Sequence, residues 1–382
     1  MRNYKFRLYP TALQEQQFEQ TLDGCRWLYN YFLKLMPMSE YDMNYTLVEL
    51  KEQKLWLRNY HSKMLQMVAS KIAAARKALA ALQRNGHKIG KLRYLTAEEY
   101  NSFTYHQSGF KLVGSKLWLS KIGSIHIKLH RHPFNIKQVT VFRQNGKWYA
   151  IMACELKSIF KFIDPYKSIG IDVGITKFSH DSDDHIVENP LFLNKMIRPI
   201  KIAHKRLSRR HKGGSNYKKA KHMLARLYER IHNKRKDFLH KLSNQYSKSY
   251  DVIFLERLCT FNMVKNHRLA KHILDSGWRT FKAMLEYKTK MILEEVEPQN
   301  TSVNCSRCGN AVPKSLAVRT HSCNKCGLVI DRDYNASRNI LYKGLRKLPV
   351  ERREVTPVEI PSESLKQELK GAIVQADSSC SL

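Results

Sequence analysis

An α+β chain of two or three domains is the fold class this sequence predicts, and three observations predict it. With 382 residues, 43% of them hydrophobic, the chain is long enough for more than one core. Short runs that alternate or are wholly apolar (YKFRLY, VTVFR, KWYAIMA, YDVIFL) are interspersed with long stretches whose apolar residues recur every three to four positions. Two Cys-x-x-Cys-Gly knuckles, Cys305/Cys308 and Cys323/Cys326, lie close together near the C-terminal end.

Taken in order, Tyr4 to Tyr9 alternates and ends at Pro10, which predicts a strand. Thr11 is a plausible N-cap for a helix carrying Phe18, Leu22, Trp27, Leu28, Tyr31 and Phe32. A second helical region runs from about Tyr45 to Gln83, with Leu47, Leu50, Leu65, Ile72, Ala75 and Leu79 on its apolar face, and Asn85-Gly86 closes it. Strand character returns near Leu117. Phe134 to Leu156 is a hairpin around Gln144-Asn145-Gly146, a turn suited to residues with positive φ. Asp164-Pro165 marks a boundary. Ser168 to Thr176 then reads as an apolar strand carrying Asp172, followed by a glycine that permits a tight reversal. Asn189 to Ser247 is basic, and Gly213-Gly214-Ser215 divides it. Leu224, Leu227, Ile231, Phe238 and Leu242 form a helical stripe after the break. Tyr250 to Leu255 is a buried strand ending in Glu256, Trp278 to Glu294 is helical, and Tyr334 to Leu345 is a last helix. From Pro349 the chain is acidic and rich in Pro and Ser, which predicts a flexible tail.

The four knuckle thiols match a closed, tetrahedral zinc site holding one structural ion. Gly309 and Gly327 sit where such turns need a backbone without Cβ strain. Two disulfides are the rival reading, and nothing in the sequence argues for the export that they would need. Cys25, Cys154, Cys259 and Cys380 are scattered and read as reduced, mostly buried thiols.

Lys and Arg number 67 against 33 Asp and Glu, a formal charge of +34. Like charges at this density destabilise a compact state, so a polyanionic partner is expected, and nucleic acid is the default. The opening MRNYKFRLYP lacks the apolar core of a signal peptide, and no run of about 18 apolar residues exists. No membrane partner is expected, and the expected compartment is cytoplasmic. From Asn194 to Ser247 there are 17 Lys or Arg against Glu229 and Asp237, a face too one-sided for solvation alone.

Asp172 and Glu256 end apolar strands and Asp333 begins a helix. A carboxylate on a buried strand is costly unless a cation compensates it. Magnesium takes hard oxygen ligands and is held by few carboxylates together with substrate phosphate. Three acids meeting at one sheet edge could hold two such ions about 4 Å apart, one activating water and one stabilising the leaving oxygen. Spacing alone does not choose between Asp333 and Asp331, since Asp331 equally suits a helix N-terminus.

IGIDVGITKF, VIFLERL and TSVNCSRCG…CNKCGLVIDRDYNASRNI resemble the three RuvC blocks and zinc ribbon of TnpB, a family of insertion-sequence-encoded RNA-guided nucleases related to type V CRISPR effectors. YKFRLYPTALQEQQFEQTLDGCRWLYNYFL resembles the family's opening, and SNYKKAKHMLARLYERIHNKRKDFLHKLS its basic segment. The resemblance implies an RNase H-like (RuvC) nuclease domain over 165–300 and 329–346 with the zinc ribbon, 301–328, inserted in it. It implies a wedge-like β barrel over 1–10 and 98–164, interrupted by a helical recognition insert, 11–97, with a tail from 347 to 382. It implies that Asp172, Glu256 and Asp333, rather than Asp331, are catalytic ligands of two Mg²⁺ ions. Ser337 stands where the family usually has alanine. The implied partners are a guide RNA made from the element's own end, at one protein per RNA, and double-stranded target DNA. The protein would read a short target-adjacent motif while pairing reads the rest. Tyr45, Gln66 and Thr104 fall where motif-reading residues are expected. A non-cleaving RNA-guided repressor, an RNase H-type transposase and a structural RNA-binding protein are the alternatives. Cleavage separates the first from the nuclease reading, RNA dependence the second, and the third leaves the acids idle.

Overall fold

The computed structural model describes residues 2–155, 167–289, 292–315 and 317–348, with the Gln107 side chain excepted. Asp164-Pro165, the acidic tail from Pro349 and Cys380 lie outside the described residues. The chain divides into two compact units, Met1–Ser158 and Ile159–Leu382.

The first unit contains β1 (Arg2–Tyr9), α1 (Ala12–Lys34), α2 (Glu40–Gln53), α3 (Ser62–Arg84), β2 (Ser102–His106), β3 (Phe110–Val113), β4 (Lys116–Leu119), β5 (Gly123–Lys128), β6 (Ile136–Gln144) and β7 (Lys147–Cys154). Thr11 caps α1 through a capping box with Gln14, which satisfies two of the orphan N–H groups of the first turn. Phe18, Leu22, Cys25, Leu28 and Phe32 form the buried stripe of α1, while Trp27 and Tyr31 stack on each other at its margin. The helical region expected from about Tyr45 to Gln83 consists of two helices, α2 and α3, and begins earlier, at Glu40. Lys54 leaves the helical range at φ −123° and ψ 80°, a 3₁₀ turn covers Leu55–Asn59, and the break seats Leu57 in the core without residual exposure.

The sheet order is β2-β6-β7-β1-β5-β4-β3, all antiparallel, with the ladders running in one series from β2 to β3. The expected hairpin is β6–β7, and its turn uses Asn145 and Gly146 at φ 51° and 69°. Helices and sheet share one hydrophobic cluster, in which Phe6, Val141 and Trp148 of the sheet pack with Phe18, Leu65 and Ile72 of the helices.

The second unit contains β8 (Ser168–Val173), β9 (Lys177–Asp181), β10 (Ile186–Glu188), α4 (Phe192–Ser208), α5 (Ser215–Ser249), β11 (Val252–Glu256), α6 (Thr260–Met263), α7 (His267–Ser276), α8 (Trp278–Glu286), β12 (Ile292–Val296), β13 (Thr320–Ser322), β14 (Val329–Asp331) and α9 (Arg332–Lys347). Its main sheet is ordered β10-β9-β8-β11-β12. The pairs β10–β9 and β9–β8 are antiparallel, whereas β8–β11 and β11–β12 are parallel. Parallel strands are covered on both faces, which is why β8 and β11 are near-continuous apolar runs. One cluster sets Ile169, Ile171, Ile253 and Leu255 against α5 and α8; another sets Val252 and Phe254 against Ile340 and Leu341 of α9.

The basic segment is a helical hairpin, α4 and α5, around a small cluster of Ile200, Ala203, Leu224 and Ile231. Its base is tied to α7 by Asp275, which accepts from Leu193 N at 3.0 Å and pairs with Arg235. The helix expected to reach Glu294 ends at Glu286, and Glu294 lies on β12, whose pairing with β11 overrides the helix propensity of its Leu and Glu residues. Among the scattered cysteines, Cys25 and Cys154 are buried and Cys259 is exposed. No helix among the described residues is long and apolar enough to cross a membrane.

Candidate active site

Asp172 lies near the C-terminal end of β8 and Glu256 is the last residue of β11. Leu255 pairs with Ile171, so the next register step brings both acids to the same edge of two parallel neighbours. Asp333 arrives on α9. Residues two apart on a strand share a face, so Gly170 and Asp172 look the same way. A Cβ on Gly170 would lie 2.4 Å from Ser337 O and 2.5 Å from Leu341 N, so β8 and α9 approach backbone to backbone at that point. One helical turn back from Ser337 is Asp333, and a turn rises about as far as two strand residues. The helix N-terminus therefore sits over the strand end that carries Asp172. Burial pushes the Asp172 carboxyl well above the usual carboxylate range, and the neighbouring Glu256 and Asp333 carboxylates push it further, against Arg332. By surface exposure the residue as a whole is half-buried.

Each of the other acids has protein partners. Glu256 accepts from the Thr301 hydroxyl at 2.7 Å, and burial raises its pKa against Thr301 and Lys343. Asp333 meets Arg332 at 3.0 Å and Arg319 at 3.5 Å. Asp331 has the helix-terminal role: its carboxylate accepts from Asp333 N and Tyr334 N and pairs with Lys177 at 3.0 Å. Burial raises the Asp331 carboxyl, but Lys177 and those two N–H groups prevail and hold it below the usual range.

The donor chemistry fits hard divalent cations: Asp172 has the Glu256 and Asp333 carboxylates as electrostatic neighbours, and a buried acid so placed gains from positive charge. The three carboxylates do not close to mutual contact. Among the described residues, the cluster whose possible ligand atoms all lie within 4.8 Å of one another is that of the four cysteines. There, Cys305–Cys326 and Cys308–Cys323 each stand 3.6 Å apart, sulfur to sulfur. A disulfide needs about 2.05 Å, which these pairs exceed. The edge of a tetrahedron with Zn–S near 2.3 Å is about 3.8 Å, which they nearly match. Gly309 and Gly327 carry the two knuckle turns at φ 75° and 71°. In each turn the glycine N–H donates to the carbonyl of the first cysteine.

The knuckles are built onto α9. Asn335, fully buried, accepts from Ser306 N and donates to Asn304 O. Asn339 donates to Thr301 O at 2.8 Å and to Asn304 O at 2.7 Å.

Sequence reasoning missed Thr301, which lies 45 residues from its partner Glu256, Arg319, which meets Asp333 from across the second knuckle, and His180. His180 is paired with Asp172 across β8–β9, buried, stacked on Tyr334, and 3.4 Å from Asp331. The strand pattern KFSHD could have flagged a histidine beside an acid-bearing strand, but only the register shows that the two are paired. Of the residues expected to read a target-adjacent motif, Tyr45 is exposed on α2 and Gln66 exposed on α3, while Thr104 on β2 hydrogen-bonds Thr140 at 3.0 Å. The three do not share an element.

A family model described as "Probable transposase" matches residues 152–267, "Cas12f1-like, TNB domain" matches 278–340, and "Helix-turn-helix domain" matches 1–36. A protein of Streptomyces pristinaespiralis named "Putative RNA-guided DNA endonuclease" is 31% identical over 367 residues, which cover 90% of this chain and 89% of that one. A protein of Escherichia coli K12 named "Putative RNA-guided DNA endonuclease InsQ" is 28% identical over 377 residues, covering 89% and 92%. A "TnpB-like protein" of Methanocaldococcus jannaschii is 34% identical over 125 residues, covering 32% of this chain and 58% of that one. With nearly a third of positions shared along nine tenths of both chains, this protein belongs to the TnpB family.

Proposed function

We propose that the protein is an RNA-guided DNA endonuclease and that Asp172, Glu256 and Asp333 are its catalytic carboxylates. The observation that carries this reading is the convergence of three acids, from three distant stretches of chain, on one sheet edge where burial and mutual repulsion raise Asp172. The names of the relatives from Streptomyces and Escherichia coli support the substrate class. The mixed sheet, ordered β10-β9-β8-β11-β12, supports an RNase H-like reading of the second unit.

Within it, each residue has a physical task. Asp172, whose carboxyl is pushed up by burial and by both neighbouring acids, gains from a cation and would anchor it. Glu256 is aimed by Thr301, and Asp333 by the cap that Asp331 places on α9. Bound Mg²⁺ would supply a water activated as nucleophile and charge stabilisation at the leaving oxygen. The basic hairpin α4–α5 and the cationic first unit would neutralise phosphates of guide RNA and target DNA, which gives the +34 charge a purpose. The domain partition expected from the resemblance, a motif-reading role for Tyr45, Gln66 and Thr104, one protein per RNA and a cytoplasmic setting belong to the same proposal.

The test is Asp172→Ala assayed with the RNA that copurifies, matched target DNA and Mg²⁺. Guide and target binding should persist while cleavage falls by at least about a thousandfold. Cleavage at the wild-type rate would end the assignment.

A further inference from the structure

The seven-stranded sheet of the first unit has two faces, and its hydrophobic cluster uses one. Side chains alternate along a strand, so the register determines which residues share a face. Phe6, Val141 and Ala150 point into the core, which turns Arg7, Phe142 and Tyr149 outward as one cross-strand row. Counted the same way, Lys111, Trp118 and Ser124 form an outward row across β3, β4 and β5.

The outer face is cationic and aromatic. Lys5, Arg7, Lys111, Lys116, Lys128 and Lys147 lie on it, and none of the seven strands carries an Asp or Glu. The acids of α1 serve the other side, where Glu15 accepts from Trp148 and Glu19 pairs with Arg143. Phe142 and Tyr149 are stacked at 5.4 Å, and the Lys5 ammonium lies 4.0 Å above the Tyr149 ring. Trp118 is 41% exposed. It borders an open groove of about 480 Å³ with Lys111, Val113, Lys116 and Ser124. A lone exposed tryptophan carries no message. Here Lys111 is its direct cross-strand partner, and Lys116 precedes it by two on the same face of β4. Clustered cations without acids repel one another, and an indole between them gives a nucleobase its stacking surface.

We propose that this face is a stacking platform for an unpaired stretch of nucleic acid. Trp118 takes a base on its indole, and Lys111 and Lys116 take the flanking phosphates. Tyr149 and Phe142 offer a second stacking position once Lys5 turns from the ring to a phosphate. Unpaired bases are specified because a duplex hides its base faces. The site goes beyond the nuclease reading and needs no acidic centre, so it is tested in magnesium-free buffer, where failure of either is separable.

The full chain, freed of copurifying RNA, is titrated with labelled oligo-U, oligo-dT and a blunt duplex of equal length. Trp118→Ala should weaken single-strand binding about tenfold and leave the duplex nearly unchanged, while Trp118→Phe should stay close to wild type. Lys111→Ala with Lys116→Ala should reduce the salt slope for single strands by about 1.4, two phosphate contacts' worth. A photo-crosslinking base in the oligonucleotide should attach within β3 to β5 in the wild type and not in Trp118→Ala. The stronger of the oligo-U and oligo-dT effects assigns the strand to RNA or to DNA. Equal losses on single strand and duplex, unchanged binding by Trp118→Ala, or cross-links that avoid β3 to β5 would each overturn the proposal.

Discussion

We read both the four-cysteine cluster and the three acids of the proposed nuclease centre as cation sites, and the two differ in what the chain does before an ion arrives. Burial pushes the Cys305 and Cys308 thiols up toward their neutral forms, while at Cys323 burial is outweighed by hydrogen bonds within the cluster, which draw it down to about 6. Repulsion is therefore small enough for two tight turns close together in sequence to bring four thiols within 4.8 Å of one another. Carboxylates carry charge, and three of them resist gathering. The chain gives two of them separate partners, Thr301 for Glu256 and two arginines for Asp333, and leaves Asp172 with a raised pKa. On the proposed reading, a structural centre is built by local spacing, whereas a centre for chemistry is held open by long-range packing and stays electrostatically unsatisfied.

The two centres are also coupled. Asn335 and Asn339 tie the first knuckle to the helix that carries Asp333, and Thr301 reaches Glu256 from the loop before that knuckle. The largest expected effect tests this coupling. Cys305→Ser should abolish zinc retention, measured as metal per protein, and lower stability by several kcal/mol, since a structural zinc site contributes on the order of ten. Cleavage should fall with it. Full zinc content would refute the ribbon. Normal cleavage without zinc would show that the two centres are independent.

An intermediate effect separates packing from charge. Gly170→Ala keeps every acid but places a methyl 2.4 Å from Ser337 O, against main chain that cannot step aside. Overpacking of this kind costs about 1–3 kcal/mol and should shift α9 along β8. The expected result is a Tm lower by several degrees, together with a larger fractional loss of cleavage than of guide-RNA binding. Equal losses of both would mean that the substitution merely unfolds the unit.

The same contrast explains what the sequence displayed. The cysteines, the Asn145-Gly146 turn and the capping box at Thr11 are local devices, and each is legible from a few adjacent residues. Asp172 and Glu256 were visible as acids closing apolar runs, but their neighbourhood depends on β8 and β11 pairing in parallel across roughly eighty residues. Resemblance to a family, not spacing, singled out Asp333. β12 was illegible because its Leu and Glu residues favour helix in isolation, and only its pairing with β11 makes it a strand. The break between α2 and α3 carries no Gly or Pro; the gain is burial of Leu57, a term that exists only in the folded core.

The smallest expected effect concerns the strain that Asp172 bears. Its folded-state pKa is raised above the unfolded value, first by burial and then by Glu256 and Asp333, so the folded protein binds that proton more tightly. The associated stability is present in full below the unfolded carboxylate value and is lost as pH rises through the folded one. Glu256, also raised, acts with the same sign. Metal-free wild type should therefore lose stability as pH climbs from mildly acidic toward neutral. Asp172→Asn, which removes the charge and keeps the shape, should flatten that slope and raise the Tm near neutral pH by about 2–4 °C, or about 1 kcal/mol. Saturating Mg²⁺ should remove the wild type's deficit and leave Asp172→Asn unaffected. If the variant and the wild type share one slope, with and without Mg²⁺, then Asp172 carries no such strain, and the contrast between a satisfied centre and an unsatisfied one fails at the acid on which it rests.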